Sequence, residues 1–262
     1  PQYQETLNTY LNHKEGDFVK AMDDNTACVV VQYPNFYGEV PNLSHYRKMC
    51  DDAGALLIVC TTEILSLGLL EAPQVADIAV GEAQSIGVPL SFGGPSLGFF
   101  ASKKEYLRQM PGRICGQTTD SDGKRSFVLT LNTREQHIRR DKATSNICTN
   151  EGLCALAFTV HMSLLGETGF KQLALVNHER AIALENALKA VSGVTVQNTT
   201  YFNEFVIRTP VDANKITTHL QASGIVAGHP IDAQKLLVCA TEMTSNSDIE
   251  AFAAALNQFI NA

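Results

Sequence analysis

Two stretches of this chain gather residue types that can bind or react. The first runs Val80-Gly81-Glu82-Ala83-Gln84-Ser85-Ile86-Gly87-Val88-Pro89-Leu90-Ser91-Phe92-Gly93-Gly94-Pro95. A strand here leads into a glycine-rich loop, the place where open α/β sheets hold ligands. The same residues equally suit a tight connection that binds nothing. The second stretch runs from Thr133 through Arg134, Glu135, His137, Arg139, Arg140, Asp141 and Lys142 to Ala143-Thr144-Ser145-Asn146 and Thr149. Arginine forks, hydroxyls and free N–H groups at a helix entry suit a phosphate or a carboxylate. A solvated charged face with ordinary capping is the plainer alternative, and on residues alone it stays open.

Other chemistry has little to stand on. The chain contains no GxSxG, no HExxH, no P-loop and no GxGxxG following a strand. His161 lies inside an apolar helical stretch, where a histidine usually serves structure. Glu63 and Asp77, the carboxylates nearest strand ends, have no visible partner, and Lys103 and Lys104 read as solvated. Cys28, Cys50, Cys60, Cys115, Cys148, Cys154 and Cys239 are scattered without a CxxC pair, as expected of reduced thiols in a cytoplasmic protein. A net charge of −7 weighs against nucleic acid as a general partner. No apolar run approaches the roughly 20 residues that span a bilayer. The start is polar and lacks an initiator Met, so a processed product or a piece of something longer is expected.

The elements that must position these stretches are mostly readable. Residues 27–32 are a β-branched strand, Leu43 to Ala53 a helix ended by Gly54, and Ala55 to Cys60 a second strand. Strand, helix and strand with short joints form a βαβ unit, which builds parallel sheets. Residues 77–81 and 97–101 read as two further strands. A long, mostly helical region spans about 150–192, with Ala181, Leu184, Leu188 and Val191 as its buried stripe and Gly193 at its end. Residues 202–209 and 235–241 read as strands, and 212–223 as a helix with Asp212 as N-cap. The last helix opens on Ser247-Asp248-Ile249-Glu250 as a capping box and buries Ile249, Phe252, Ala253, Leu256, Phe259 and Ile260. The whole predicts an α/β chain with two parts: residues 1–150 as the later part of a large domain, then 151–262 as an interdomain helix and a small α+β domain.

Taken together, the two chemical stretches resemble the P-protein of the glycine cleavage system, the pyridoxal-phosphate-dependent glycine decarboxylase. Asn150-Glu151-Gly152-Leu153, Gly93-Gly94-Pro95 and Met110-Pro111-Gly112-Arg113 carry the likeness. Tyr201-Phe202-Asn203-Glu204-Phe205 and Thr241-Glu242 fit the separate first (alpha) subunit of many bacteria. The resemblance implies the aspartate aminotransferase-like fold (pyridoxal phosphate fold type I), here as a partial large domain with a mixed sheet and a small C-terminal domain. It implies glycine decarboxylation with transfer of the aminomethyl group to the lipoyl arm of the H-protein. It also implies a beta subunit as partner, in an α2β2 heterotetramer, with no nucleic acid and no membrane.

Two departures from the family pattern matter. Aligned on Val88-Pro89 and Gly93-Gly94-Pro95, Ala83 and Gln84 stand where the catalytic subunit has its His-Lys pair. Cys60 stands where an Asp would hold the pyridine nitrogen protonated. An amide nitrogen forms no imine, and a thiol supplies no fixed negative charge. The expectation is a non-catalytic subunit that holds no cofactor covalently, the cofactor being held by the beta subunit. Ala143-Thr144-Ser145-Asn146 resembles a Gly-Thr-x-Asn turn, so Thr144, with Arg139 or Arg140, is expected near the partner's cofactor phosphate. The rival is that Arg139, Arg140 and Asp141 make only intersubunit ion pairs. Two further alternatives are an independent enzyme of the same superfamily using another lysine, and a module that docks the H-protein.

Overall fold

β-Branched side chains lose χ1 freedom in a helix and pack well on a pleated surface. The two apolar runs on either side of Leu43–Ala53 accordingly become neighbouring strands. The computed structural model describes residues 1–11, 19, 21–131, 136–143 and 151–261. Its first part orders helix α1 (Gln2–Leu11), β1 (Cys28–Gln32), α2 (Leu43–Ala53), β2 (Leu56–Thr61), β3 (Ile78–Glu82) and β4 (Gly98–Ser102). β1, β2 and β3 run parallel and β4 closes the sheet antiparallel to β3, so the first sheet is mixed. Its register places Gln32 beside Cys60 and Cys60 beside Val80.

α2 has the bounds that periodicity predicts. Asn42 caps it by accepting from the His45 N–H, and Gly54 ends it at φ 69. Its Cys50 is buried against Leu57 and Val59 of β2. Arg47, which shares the apolar stripe of α2, turns out to have a buried partner described below.

Next come β5 (Ile114–Thr119) and β6 (Arg125–Thr130), an antiparallel hairpin absent from the expectations. Its signal was Asp120-Ser121-Asp122-Gly123: Asp120 accepts from the Asp122 and Lys124 N–H groups and closes the turn. α1 was likewise unanticipated. α3 (Gln136–Arg139) is one short turn, and α4 (Gly152–Lys189) is the long helix.

α4 is not continuous. Gly166 sits at φ 60, ψ −174, a region open essentially to glycine. By length and mean hydropathy α4 is also long and apolar enough to cross a bilayer, although polar residues such as His161, Ser163 and Glu167 interrupt its apolar run. The Gly166 break interrupts that stretch. The second half of the helix buries Ala181, Leu184 and Leu188 in protein core.

That core belongs to a second sheet. β7 (Thr195–Val196), β8 (Glu204–Arg208), α5 (Ala213–Gln221), β9 (His229–Asp232), β10 (Lys235–Cys239) and α6 (Asn246–Ile260) follow in the chain. The strands lie in the order β7-β8-β10-β9, all antiparallel. Phe205 and Ile207 of β8 and Leu236 and Val238 of β10 are buried beneath α4, α5 and α6. Each such side chain contributes about 2 kcal/mol through burial. β7 and β9 are too short for their alternation to have been read.

One expected cap moves. The capping box of α6 is Ser245 with Asp248, not Ser247 with Glu250: the Ser245 hydroxyl takes the Asp248 N–H, and Asp248 takes the Ser245 N–H. Starting at Ser245 satisfies two otherwise orphaned N–H groups at once.

Candidate functional site

Parallel strands aim their C-terminal ends at one edge of a sheet, and Cys60 and Gln84 both lie at that edge. Cys60 is next to last in β2, and Gln84 follows β3 by two residues. The structure thus brings together the two positions that the resemblance singled out. Tyr3 of α1 lies there too: burial, then proximity to Cys60 and Glu82, pushes its phenol up.

Gln84 is not idle. Its Nε2 donates to the carbonyls of Pro89 and Pro95, each at 3.1 Å. Glu82 completes the brace, its Oε1 accepting from the Gln84 N–H at 2.9 Å and the Leu97 N–H at 2.7 Å. Between these anchors the backbone runs left-handed through Ser91 (φ 44), Phe92 (φ 57), Gly93 (φ 107) and Gly94 (φ 142). Ser and Phe adopt such angles only at a cost, so the turn must be held from outside. An amide suits this task because one nitrogen offers two hydrogens to two carbonyls.

The residues present do not fit pyridoxal phosphate. The family's cofactor needs an amine to tether it, an anion at its ring nitrogen and cations or N–H groups around its phosphate. Gln84 offers an amide already committed to the loop. Burial pushes the Cys60 thiol up, so it carries no charge at neutral pH. Residues 33–42, 62–77 and 83–97, which follow the three parallel strands, include neither Lys nor Arg.

Lys103 and Asp77 overturn two expectations. Asp77 is 5% exposed and accepts from Lys103 Nζ at 2.5 Å, Arg47 Nη1 at 2.7 Å and the Leu57 N–H at 2.7 Å. Burial alone would raise this carboxyl, but those donors outweigh it and bring it down to about 2. Asp77 therefore has partners, and Lys103 is an ion-pair residue rather than a solvated one. Both sit at the N-terminal edge of the first sheet, opposite Cys60 and Gln84. An arginine within the apolar stripe of α2 was the available signal.

Glu63 also has partners. Its Oε1 accepts from the Ser85 hydroxyl at 2.8 Å and the Leu65 N–H at 2.9 Å. Burial, then the charge of Glu242, pushes its carboxyl up. Glu242 in turn accepts from Asn177 Nδ2 at 2.6 Å. Glu204 stands across from Cys239 in the β8–β10 pairing. Desolvation, followed by Glu204, Glu63 and Glu242, pushes the Cys239 thiol up to about 12. Residues more than a hundred positions apart form this cluster, so no local pattern announced it.

The second chemical stretch is only partly described. Arg139 ends α3 and Arg140 begins a 3-10 turn through Lys142, and both are exposed. Thr144, Ser145 and Asn146 lie outside the described residues. His161 lies against Gly87, whose added Cβ would come within 2.9 Å of it.

The profile of the family "Glycine cleavage system P-protein" matches residues 1–256. A protein of Caulobacter vibrioides named "Probable glycine dehydrogenase (decarboxylating) subunit 1" is 58% identical over 254 residues, covering 93% of this chain and 57% of its own length. One of the same name from Azorhizobium caulinodans is 49% identical over 283 residues, covering 99% of this chain and 63% of its own. The chain therefore spans about 57–63% of these relatives. A crystal structure of glycine decarboxylase (P-protein) of the glycine cleavage system, in inhibitor-bound form, superposes with a TM-score of 0.92 at 36% identity. It covers 98% of this chain and 63% of that one. A sphingosine-1-phosphate lyase from Burkholderia pseudomallei, 17% identical with a TM-score of 0.65 over 92% of this chain and 53% of its own, shares the fold. The architecture is thus the expected α/β, aspartate aminotransferase-like one of fold type I.

Proposed function

The chain belongs to the glycine cleavage system P-protein family, and from that premise we propose that it acts as the non-catalytic first subunit of glycine dehydrogenase (decarboxylating). The whole enzyme decarboxylates glycine and passes the aminomethyl group to the lipoyl arm of the H-protein. A beta subunit supplies the cofactor site, in an α2β2 assembly. The observation that carries this reading is Gln84: at the position of the tethering amine stands an amide that holds the loop shut. Pyridoxal phosphate, when bound by the partner, supplies the electron sink for loss of CO2. This chain's part is to hold its glycine loop rigid through Gln84 and Glu82, and to present Thr144, Arg139 and Arg140 towards the partner's phosphate. The scattered cysteines support a reducing, cytoplasmic setting.

An independent enzyme using another lysine is disfavoured by geometry. Lys103, the first lysine after the loop, is bound to Asp77 at the far edge of the sheet. The test is borohydride reduction of the assembled complex loaded with pyridoxal phosphate, followed by peptide mapping. The label is expected on a lysine of the partner and on none of this chain. A label on any lysine of this chain overturns the proposal. Thr144→Ala and Arg139→Ala, each tested for cofactor affinity in the complex, separate phosphate contact from ion pairing alone: unchanged affinity removes the phosphate role.

A further inference from the structure

We propose that the cavity at one end of the second sheet binds a small organic amine, an ammonium head carried on an apolar body. β8 begins, β10 ends and β9 begins at this end, and residues 224–228 and the start of α6 close over it. The cavity measures about 530 Å3, within the roughly 300–1,000 Å3 of small-molecule pockets. Leu184, Leu237, Ile249 and Phe252 give it buried apolar walls. Gly228 lets the 224–228 segment lie flush on β10, because any side chain there would run into the Leu237 carbonyl. Val226 and Met243 also line the cavity, yet they are 93% and 82% exposed. Apolar side chains left in water beside an apolar hollow gain burial when an apolar ligand body enters it.

The charges of the lining select the head group. Glu204 and Asp248 both line the cavity, and no Lys or Arg does. The Glu204 carboxylate accepts no hydrogen bond among the described residues, and burial pushes it up. Asp248 accepts through Oδ2 from the Ser245 N–H at 2.9 Å and the Ser245 hydroxyl at 2.6 Å, while its Oδ1 accepts nothing among the described residues. Those two donors hold Asp248 below the ordinary carboxylate range, so it stays anionic at neutral pH. The Cys239 thiol in the same wall, pushed up to about 12 by burial above all, adds no charge. An anionic ligand would meet like charge here. A neutral apolar one would desolvate Glu204 further without giving it a donor. An ammonium brings both the opposite charge and the N–H groups.

This inference stands whatever the subunit's role. Hexylammonium, methylammonium and hexanoate are each titrated calorimetrically into the full-length protein. Hexylammonium is expected to bind saturably at one site and hexanoate not at all. Along the series of n-alkylammonium ions each added methylene tightens binding about fourfold until the cavity is filled. Glu204→Gln, nearly isosteric, weakens hexylammonium binding at least about tenfold. Ala251→Leu narrows the cavity from α6 with a residue that favours helix, and weakens it likewise. Far-UV circular dichroism checks that both variants keep their fold. Equal binding of hexylammonium and hexanoate, no gain from methyl to hexyl, or binding that either folded variant leaves unchanged each overturns the proposal.

Discussion

Carboxylates meet the two ends of the first sheet very differently. At the N-terminal edge Asp77 is buried, paired with Arg47 and Lys103, and hydrogen-bonded to the Leu57 N–H. At the C-terminal edge no cation among the described residues pairs with Glu63, Glu204 or Glu242, and burial pushes Glu63 and Glu204 up. Both ends contain desolvated acid groups, but among the described residues cations pair with those of only one. A compensated carboxylate stays ionised well into acid, whereas an uncompensated one is driven towards its protonated form. The uncompensated edge is also the one that carries Cys60 and Gln84.

Breaking the compensated end has the largest expected effect. Asp77→Ala leaves half-buried Arg47 with only Asp51 and backbone carbonyls, Lys103 without its anion and the Leu57 N–H without an acceptor, and costs about 3 kcal/mol in urea unfolding. Acid sharpens the same contrast. The folded value of Asp77, about 2, lies below its ordinary 3.8, so its stabilisation is complete above that ordinary value and lost as pH falls towards 2. That loss is about 2 kcal/mol, and it disappears in Asp77→Asn. At the other edge, Gln84→Ala removes both anchors of the glycine loop and costs about 1 kcal/mol. Faster amide exchange at Gly93 and Gly94 reports the loosening; unchanged exchange denies Gln84 its bracing role.

The smallest effect has the opposite sign. Glu204 has its folded value raised, so its favourable contribution exists at low pH and is lost as pH rises through that value. At neutral pH Glu204→Gln is expected to raise Tm by about 2 °C. The gain shrinks in acid, where wild-type Glu204 is already protonated. A loss of stability at neutral pH would mean that Glu204 has a compensating partner after all.

Local chemistry along the chain determined a good deal. The β-branched runs, the apolar period of Leu43–Ala53 and the stripe Ala181, Leu184, Leu188 and Val191 each dictate an element, because burial follows a period of two or of 3.6. The absence of an amine at Gln84 was equally plain, since it needs only residue identity and the glycine motif beside it. Only the tertiary structure decided what those residues do instead. That Gln84 spans the loop depends on carbonyls at Pro89 and Pro95 folding back to it. That Asp77 meets cations while Glu63 meets a hydroxyl, an N–H and further acids depends on which side chains the sheet and the second core carry to each edge, from Arg47 and Lys103 to Glu204 and Glu242. Charges act through space rather than along the chain, so their pairing stays hidden until the chain is folded.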